Sequence, residues 1–370
     1  MQKEIGSNFD LDPRILMQES ASWNLEQIGI TGSDSAMLST GRSAEGLILD
    51  EIECRHPELK KIALIPAFTC QTVIEPFIKR GYSVKTYSID ENLRINPETF
   101  KEELYESHAQ IVLIHQYFGF HTAGNIEQLI REETKKGIVF IEDRTQCLYS
   151  SFPILSVEYV IGSMRKWAAL PDGGFAVCRH GKLHEKPEYY DVELEIEKIE
   201  AAEEKYKYLH ENQGEKQIFL EKFSLAECML DKQEKCFKIS PSSLKVQSSL
   251  NIDELKQKRR DNYERLYSGL EGSRCVRVVT PPLKKENVPL YYVCLAENRE
   301  SLQRHLRENR IYAPIVWPKS QMCPVVCKEA EEMYEKSLCI PIDQRYDIDD
   351  MDKVVKCIKE FDSQCQSLKF

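Results

Sequence analysis

Short runs rich in apolar and β-branched residues alternate with helical patterns over the first 180 residues, and this alternation limits the fold more than any other feature. The spacers have the period of amphipathic helices, and the runs themselves lack the polar–apolar alternation of strands with one exposed face. Strands of this kind occur in mostly parallel sheets that are covered by helices on both faces. The sequence therefore predicts an α/β fold, with strands in KIALIPAF, SVKTYSI, AQIVLIHQYFG, IVFIED and EYVIG.

The second half of the chain divides into two kinds of sequence. Residues 183–235 are rich in Glu and Lys at helical spacing, which predicts long helices with a solvated face and i,i+4 ion pairs. Strand and helix patterns then alternate again, with strands expected in PLYYVCLA and YAPIVWP. A chain of 370 residues is long enough for two domains. We expect a large domain over residues 1–245, which includes the N-terminal segment and the charged helices, and a smaller C-terminal α/β domain over residues 246–370.

Charge and hydropathy disfavour several classes of partner. The net charge is −10, and no basic stripe is present to replace the counterions of a nucleic acid. The longest apolar stretches are too short to cross a bilayer, and the N-terminal stretch lacks the apolar core of a secretory signal. We therefore expect a cytoplasmic protein with small-molecule substrates and with neither nucleic-acid nor membrane partners.

The thirteen cysteines predict free thiols. Six of them stand singly in apolar or strand-like runs, as buried thiols do in a reducing compartment, namely Cys54, Cys70, Cys147, Cys178, Cys294 and Cys339. Cys323 and Cys327 are close in sequence, but no second Cys or His pair follows at zinc spacing. We expect no metal site.

Two segments offer groups that could hold a small anionic ligand. In STGRSAEGLILDEI, residues 39–52, a Ser/Thr/Gly turn precedes a helix whose first N–H groups, at Gly41, Arg42 and Ser43, can bind an anion. In GIVFIEDRTQCLYS, Glu142 and Asp143 follow an apolar strand, at the end where open α/β sheets bind their ligands. Each signal is weak alone, because most helices begin in this way and an isolated Asp often caps the next helix.

The segment GSMRKWAALPDGG, residues 162–174, adds a lysine to these groups. Ser163 and Lys166 come directly after the next predicted strand, and the Gly-Gly turn permits a close approach of the backbone. Pyridoxal phosphate (PLP) needs a lysine for its Schiff base and an acid for its pyridine nitrogen, besides donors for its phosphate. The three segments together provide this set. No GxGxxG follows any strand, so a dinucleotide site has no support.

The order of these motifs over residues 36–362 resembles that of the DegT/DnrJ/EryC1/StrS aminotransferases. The resemblance implies fold type I, like that of aspartate aminotransferase, with a large mixed-sheet α/β domain and a smaller C-terminal α/β domain. It implies PLP as the cofactor and a homodimer whose sites use residues of both subunits. Lys166 would form the Schiff base and Asp143 would pair with the pyridine nitrogen. Gln146 would lie near the 3-hydroxyl group, and Ser163 would hold the phosphate together with the helix start at Gly41, Arg42 and Ser43.

The sequence departs from the pattern of that family at three places. Cys70 stands where an aromatic residue usually stacks on the cofactor ring, so either Cys70 or a neighbour, Phe68 or Tyr117, would supply that face. The phosphate-binding Asn of the partner subunit falls in CFKISPSS, where Lys238 or Ser240 could take its place. The spacing from Ser163 to Lys166 is also shorter than usual, and closer to that of aspartate-type aminotransferases.

The resemblance also indicates the reaction. Relatives that dehydrate sugars carry His at the Schiff-base position, so Lys166 favours transamination. The expected reaction moves an amino group from an amino acid, glutamate in the first place, to a nucleotide-linked keto-sugar used in polysaccharide or secondary-metabolite synthesis. Two alternatives stay open, namely another PLP reaction (lyase or dehydratase) and a cofactor-free binding protein on the same fold. The candidate substrate contacts are His115, Tyr117, Arg165 and Trp317.

Overall fold

The computed structural model describes residues 3–19, 22–323 and 327–367, with side chains up to residue 364. Its strands are, in chain order, β1 (Ile5–Gly6), β2 (Asp34–Leu38), β3 (Ile62–Pro66), β4 (Ser83–Tyr87), β5 (Ile111–His115), β6 (Val139–Asp143), β7 (Tyr159–Ser163), β8 (Gly174–Cys178), β9 (Val276–Val278), β10 (Tyr291–Ala296), β11 (Ile311–Tyr312) and β12 (Ser337–Pro341). Its α-helices are α1 (Gly41–Arg55), α2 (Gln71–Lys79), α3 (Pro97–Ser107), α4 (Glu127–Thr134), α5 (Val192–Tyr206), α6 (Lys216–Asp231), α7 (Pro241–Ser249), α8 (Ile252–Gly269), α9 (Arg299–Glu308), α10 (Lys328–Lys336) and α11 (Ile348–Ser367). The predicted α/β class is confirmed.

The described chain forms two units. The first contains Asn8–Leu59 and Glu158–Asn251, and the second contains Glu4–Ser7, Lys60–Val157 and the chain from Ile252 onward. The strands of the large mixed sheet are ordered β2-β8-β7 in the first unit and β6-β5-β3-β4 in the second. The predicted domain boundary at residue 245 stays a prediction.

The strands of the first unit are antiparallel, and their register brings three chain segments together. Leu38 at the end of β2 and Ser163 at the end of β7 both lie opposite Gly174, the first residue of β8. Helix α1, which follows β2, packs against β7 and β8. The end of β7 and the beginning of α1 therefore lie close together.

The charged stretch forms α5 and α6, two helices of the first unit that pack on each other. Leu194, Ala226 and Leu230 form the core between them, with Met229 at its margin. A turn of π-helix, Lys207–Glu211, follows α5. The predicted helices are confirmed, and the apolar residues among the many Glu and Lys residues form the contact between them.

The strands of the second unit's part of the large sheet are parallel, as the apolar runs predict. All five residues of β5 are buried, and so are all five of β6. Their register places His115 opposite Asp143, so that the last residues of both strands lie side by side. The carboxyl ends of these strands bring together the polar groups of the candidate site.

The C-terminal segment of the second unit contains an antiparallel sheet of order β12-β10-β9, and β1 pairs in parallel with β11. The predicted strand in PLYYVCLA is confirmed as β10. The predicted strand in YAPIVWP is mostly wrong, because β11 ends at Tyr312, the first residue of that segment. Pro314 and Pro318 interrupt the remainder, since proline lacks the N–H group that a sheet ladder needs. Within the part of the chain that the structure describes, no helix combines the length and the apolar character needed to cross a bilayer.

Candidate cofactor site

Asp143 and His115 end two neighbouring parallel strands and contact each other. His115 Nδ1 lies 3.2 Å from Asp143 Oδ2, and the Thr145 N–H donates to Asp143 Oδ1 at 2.8 Å. The side chains of Asp143 and His115 are both buried. The carboxylate that the sequence predicts at this strand end is therefore present, and a histidine lies directly beside it.

The surroundings of Asp143 keep its carboxyl group ionised. Burial alone would raise its pKa, but His115 and the hydrogen bonds from Thr145 lower the pKa below the ordinary value. On the other side of the imidazole ring, His115 Nε2 lies 2.7 Å from Thr69 Oγ1. A carboxylate at one ring nitrogen and a hydroxyl at the other fix the ring orientation. Asp143 is thus held as an anion, which is the form that a protonated pyridine nitrogen requires.

Gln146 lies one short turn beyond Asp143, and its side-chain amide has a defined orientation. The Phe118 N–H donates to Gln146 Oε1 at 3.0 Å. Because a backbone N–H can only donate, the acceptor must be the amide oxygen, and the amide nitrogen faces the other way. The nitrogen is the end that suits an oxygen acceptor such as a phenolic hydroxyl group. The position and polarity agree with the role that the family resemblance implies.

Of the three residues considered for the face of the cofactor ring, Cys70 alone is partly exposed. Phe68 and Tyr117 have 1% and 0% of their surface exposed, and the Tyr117 hydroxyl donates to the Phe68 carbonyl at 2.6 Å. Cys70 is the N-cap residue of α2, and its Sγ accepts a hydrogen bond from Thr72 at 3.1 Å. The burial of both aromatic alternatives therefore leaves the thiol side chain as the candidate.

The aromatic side chains near this strand edge form a packed cluster. Trp317 lies with its ring centroid 5.0 Å from that of Phe68 and 5.5 Å from that of His115. Tyr117 and Phe118 also pack on the Trp317 ring. Trp317 and Tyr117 are buried in this cluster, so their surroundings do not favour the substrate contacts predicted for them. Instead, the rings of Tyr117 and Trp317 both pack against the His115 ring.

The first unit contains the predicted anion site at the beginning of α1. Thr40 is the N-cap, and its Oγ1 accepts a hydrogen bond from the Ser43 N–H at 2.9 Å. The cap therefore uses the N–H of Ser43, one of the three predicted phosphate donors. The Gly41 and Arg42 N–H groups lie in the first turn, where a helix offers donors without an intrahelical acceptor. A Cβ on Gly41 would lie 3.4 Å from Ser163 Cβ, so the helix start and Ser163 are neighbours.

The Gly-Gly turn, Gly173 and Gly174, also contacts Ser163 and the residues before α1. The Gly173 N–H donates to the Ser39 carbonyl at 2.6 Å, and the Gly173 carbonyl accepts from Ser163 Oγ at 3.2 Å. Gly173 has a φ of 136°, which a side chain would strain. A Cβ on Gly174 would collide with the Thr40 carbonyl. The glycines are needed because three backbone segments meet at the start of α1.

Asp172, next to this turn, organises a buried polar cluster that the sequence did not predict. Its carboxylate accepts hydrogen bonds from Ser240 Oγ at 2.8 Å, from the Ser240 N–H and from Ser243 Oγ. Ser240 is also the N-cap of α7 and is fully buried. Its hydroxyl group is thus engaged within its own subunit, which does not favour the predicted contact with a partner's phosphate. Lys238, the other candidate for that contact, is exposed.

Lys166 lies in the turn after β7 and is exposed. The neighbouring Trp167 is fully buried, and its N–H donates to the Met164 carbonyl at 2.9 Å, which closes the turn. Arg165 pairs with Glu227 of α6, with Arg165 Nη1 3.1 Å from Glu227 Oε1. Arg165, predicted as a substrate contact, is therefore occupied by an acid of its own unit. No sequence pattern distinguishes Glu227 from the many other acids on the charged helices.

Each unit, taken by itself, contains residues of the kind that PLP needs. The second unit contains a buried anionic carboxylate at a strand end, with an oriented amide beside it. The first unit contains a lysine in a strand-end turn, and a capped helix start lies against a serine and two glycines. Among the described residues, no group of three or more His, Cys, Asp or Glu side chains is arranged to hold a metal ion. These are the kinds of residue that fold-type-I PLP-dependent transferases use.

Comparison with known proteins narrows this class. Residues 242–359 match the sequence model of the DegT/DnrJ/EryC1/StrS aminotransferase family, which confirms the predicted resemblance. The match supports the expectation of an aminotransferase that depends on PLP, and it lies in the C-terminal part of the chain. No curated protein matches the chain.

Solved structures of sugar aminotransferases share the fold. The chain is similar to PseC of Helicobacter pylori, an aminotransferase of pseudoaminic acid biosynthesis, with a TM-score of 0.68, 13% identity, and coverage of 98% of this chain and 100% of that one. It is also similar to the sugar aminotransferase CalS13 of Micromonospora echinospora, with a TM-score of 0.63, 14% identity and coverage of 88% and 87%. A DegT DnrJ EryC1 StrS aminotransferase of Brucella abortus gives a TM-score of 0.63, 16% identity and coverage of 95% and 91%. At these identities, the similarity establishes the fold type.

Proposed function

We propose that this protein is a sugar aminotransferase that uses PLP to move an amino group from glutamate to a nucleotide-linked keto-sugar. One observation carries the proposal: Asp143 is buried, ionised and oriented at the end of β6 by His115 and Thr145. A buried carboxylate is costly unless it has partners, and His115 and Thr145 are two that keep this one charged. The protonated nitrogen of a pyridine ring would be a third partner, of opposite charge.

We further propose that Lys166 and Asp143 serve the same cofactor. When bound, PLP withdraws electrons from the amino acid so that its Cα–H bond becomes acidic. Asp143 keeps the pyridine nitrogen protonated by offering it a fixed negative charge. The amine of Lys166 holds the cofactor covalently at rest and then moves the proton at Nζ. The Gly41 and Arg42 N–H groups and the Ser163 hydroxyl bind the phosphate.

The remaining expectations belong to the same proposal. Cys70 packs against one face of the ring, and its partial exposure supports this role. We also propose a cytoplasmic homodimer in which Lys238, which is exposed, approaches the phosphate of the partner subunit. Sedimentation analysis of the pure protein tests the dimer, and a monomer at micromolar concentration would contradict it.

The decisive experiment uses the spectrum and the covalent attachment of the cofactor. The protein with added PLP is expected to absorb in the visible, and borohydride reduction followed by peptide mapping is expected to find the pyridoxyl group on Lys166. Lys166→Ala should abolish both signals and reduce turnover by about 10²–10⁴-fold. The control is Lys135→Ala, which removes an exposed lysine after α4. A wild-type protein that stays colourless with PLP would favour the cofactor-free alternative.

The type of reaction and the substrates need separate tests. Glutamate alone should convert the bound cofactor to its amine form, because a transaminase completes this half-reaction without an acceptor. Release of ammonia or of a dehydrated product would indicate a lyase or a dehydratase instead. The amine form is then offered to nucleotide-linked keto-sugars and to simple keto acids. Reaction with the keto acids alone would refute the proposed acceptor.

A further inference from the structure

Helix α6 contacts the turn that contains Lys166 through a charged cluster. We define the α6 cluster as Glu227 with Arg165, Lys198 and Lys166. Glu227 Oε1 lies 3.1 Å from Arg165 Nη1, and the carboxylate also forms an ion pair with Lys198 Nζ. The charge of Glu227 also interacts with that of Lys166. One acid on α6 thus pairs with two cations, and one of them, Arg165, is next to Lys166 in the turn that follows β7.

The burial of Lys198 shows that this cluster is more than a surface ion pair. Lys198, on α5, has 7% of its surface exposed, and its ammonium lies 6.0 Å from the centre of the Phe223 ring. Burial and the nearby Arg165 lower the pKa of Lys198. Burial alone would raise the pKa of Glu227, but Arg165, Lys198 and Lys166 lower it to about 2. Glu227 is therefore an anion at every pH at which the protein works.

A second acid on the same face of α6 reaches the start of α1. Asp231 lies one helical turn beyond Glu227, and its Oδ1 is 3.0 Å from Arg42 Nη2. Arg42 is in the first turn of α1, next to the N–H groups proposed for the phosphate. The Asp231 side chain is 71% exposed against 50% for Glu227, so its ion pair is expected to contribute less.

We propose that α6 restricts the motion of the turn that carries Lys166. Glu227 is then a positioning residue, which acts through its ion pair with Arg165. The inference rests on the proposed function, in which Lys166 binds PLP. A covalent anchor needs its amine held within a narrow range of positions. Inside the turn, the Trp167 N–H donates to the Met164 carbonyl and the Leu170 N–H to the Ala168 carbonyl, and Glu227 adds a bond from a separate helix.

The test begins with hydrogen exchange in the protein without cofactor. Glu227→Gln is expected to speed exchange in the peptide that covers residues 163–170 and to leave the sheet strands unchanged. The matched control is Glu221→Gln on the same helix, whose carboxylate is exposed and bonds to Gln217. Arg165→Ala removes the other end of the bond and should reproduce the effect of Glu227→Gln, which covers the case in which Glu227→Gln fails to fold.

The second measurement is the affinity for PLP. Glu227→Gln should weaken binding about three- to tenfold, whereas Asp231→Asn should have a smaller effect and Glu221→Gln none. Glu227→Asp keeps the charge and should restore part of the affinity. Exchange equal to that of the control would overturn the inference, and so would faster exchange with unchanged affinity. Because exchange is measured without cofactor, this outcome is independent of whether Lys166 is the attachment site, which the pyridoxyl mapping decides.

Discussion

Replacement of Asp172 by Asn should remove a specific part of the pH dependence of stability. Asp172 is fully buried, and it accepts hydrogen bonds from Ser240 and Ser243 with no basic side chain among these partners. Burial raises its pKa from 3.8 to about 6, and these hydrogen bonds limit the rise. The folded protein therefore binds a proton here more tightly than the unfolded chain does.

The sign and the size of the effect follow from this difference. A group whose pKa is raised on folding contributes stability that is complete below pH 3.8 and is lost as the pH rises through about 6. Two pH units correspond to about 3 kcal/mol over the whole range. Between pH 5 and pH 7.5, the part that is lost is about 1.4 kcal/mol. The Asn side chain has no such proton to release, so the variant should lack this loss.

Denaturant unfolding at pH 5 and at pH 7.5 measures the effect, for the wild type and for Asp172→Asn. The quantity of interest is the change in unfolding free energy with pH, because other groups that titrate contribute equally to both proteins. Asp253→Asn, at an exposed aspartate near the start of α8, serves as the control and should behave like the wild type. If Asp172→Asn showed the full wild-type pH dependence, the carboxyl group would not be buried as described.

Three further predictions concern the two halves of the candidate site. Cys70 should react with a maleimide in the cofactor-free protein and react several-fold more slowly with PLP bound, as followed by mass spectrometry; equal rates would exclude it from the ring face. Gly174→Ala should destabilise the protein by about 1–3 kcal/mol in thermal unfolding, because the new Cβ meets the Thr40 carbonyl; an unchanged Tm would contradict that close approach. His115→Phe should keep the fold but weaken PLP binding, because Asp143 loses the partner that lowers its pKa; unchanged affinity would show that Thr145 alone suffices.

The parts of the site that sequence could predict are those fixed by local pattern. β6 is an apolar run that ends in Asp143, and in a parallel sheet the end of such a run is exposed to ligands. Thr40 and Gly41 indicate the beginning of α1. The Thr40 hydroxyl group can cap a helix, and Gly41 allows another chain segment to approach closely. Each of these inferences needs only the residues next to it in the chain, and each position is where the sequence placed it.

The parts that sequence could not predict depend on contacts between distant segments. The sequence suggests Ser240 as a phosphate contact, yet its hydroxyl group donates a hydrogen bond to Asp172, 68 positions earlier. Tyr117 reads as a candidate substrate contact, yet its hydroxyl is buried against the Phe68 carbonyl. An aromatic residue at a strand end has the same sequence pattern whether it lines a cavity or fills a core. Burial is therefore the information that the sequence lacks.

Glu227 shows that contacts between distant segments also decide the role of a charged residue. A stretch rich in Glu and Lys reads as a solvated surface, and most of its side chains are solvated. Lys198 is an exception, because it is buried and pairs with Glu227, which also pairs with an arginine of another loop. Because Lys198 is buried, its ammonium needs the Glu227 carboxylate as a partner, and the same carboxylate also pairs with Arg165. If the turn of Lys166 is held in this way, a helix that does not touch the cofactor still determines where the reactive amine can be.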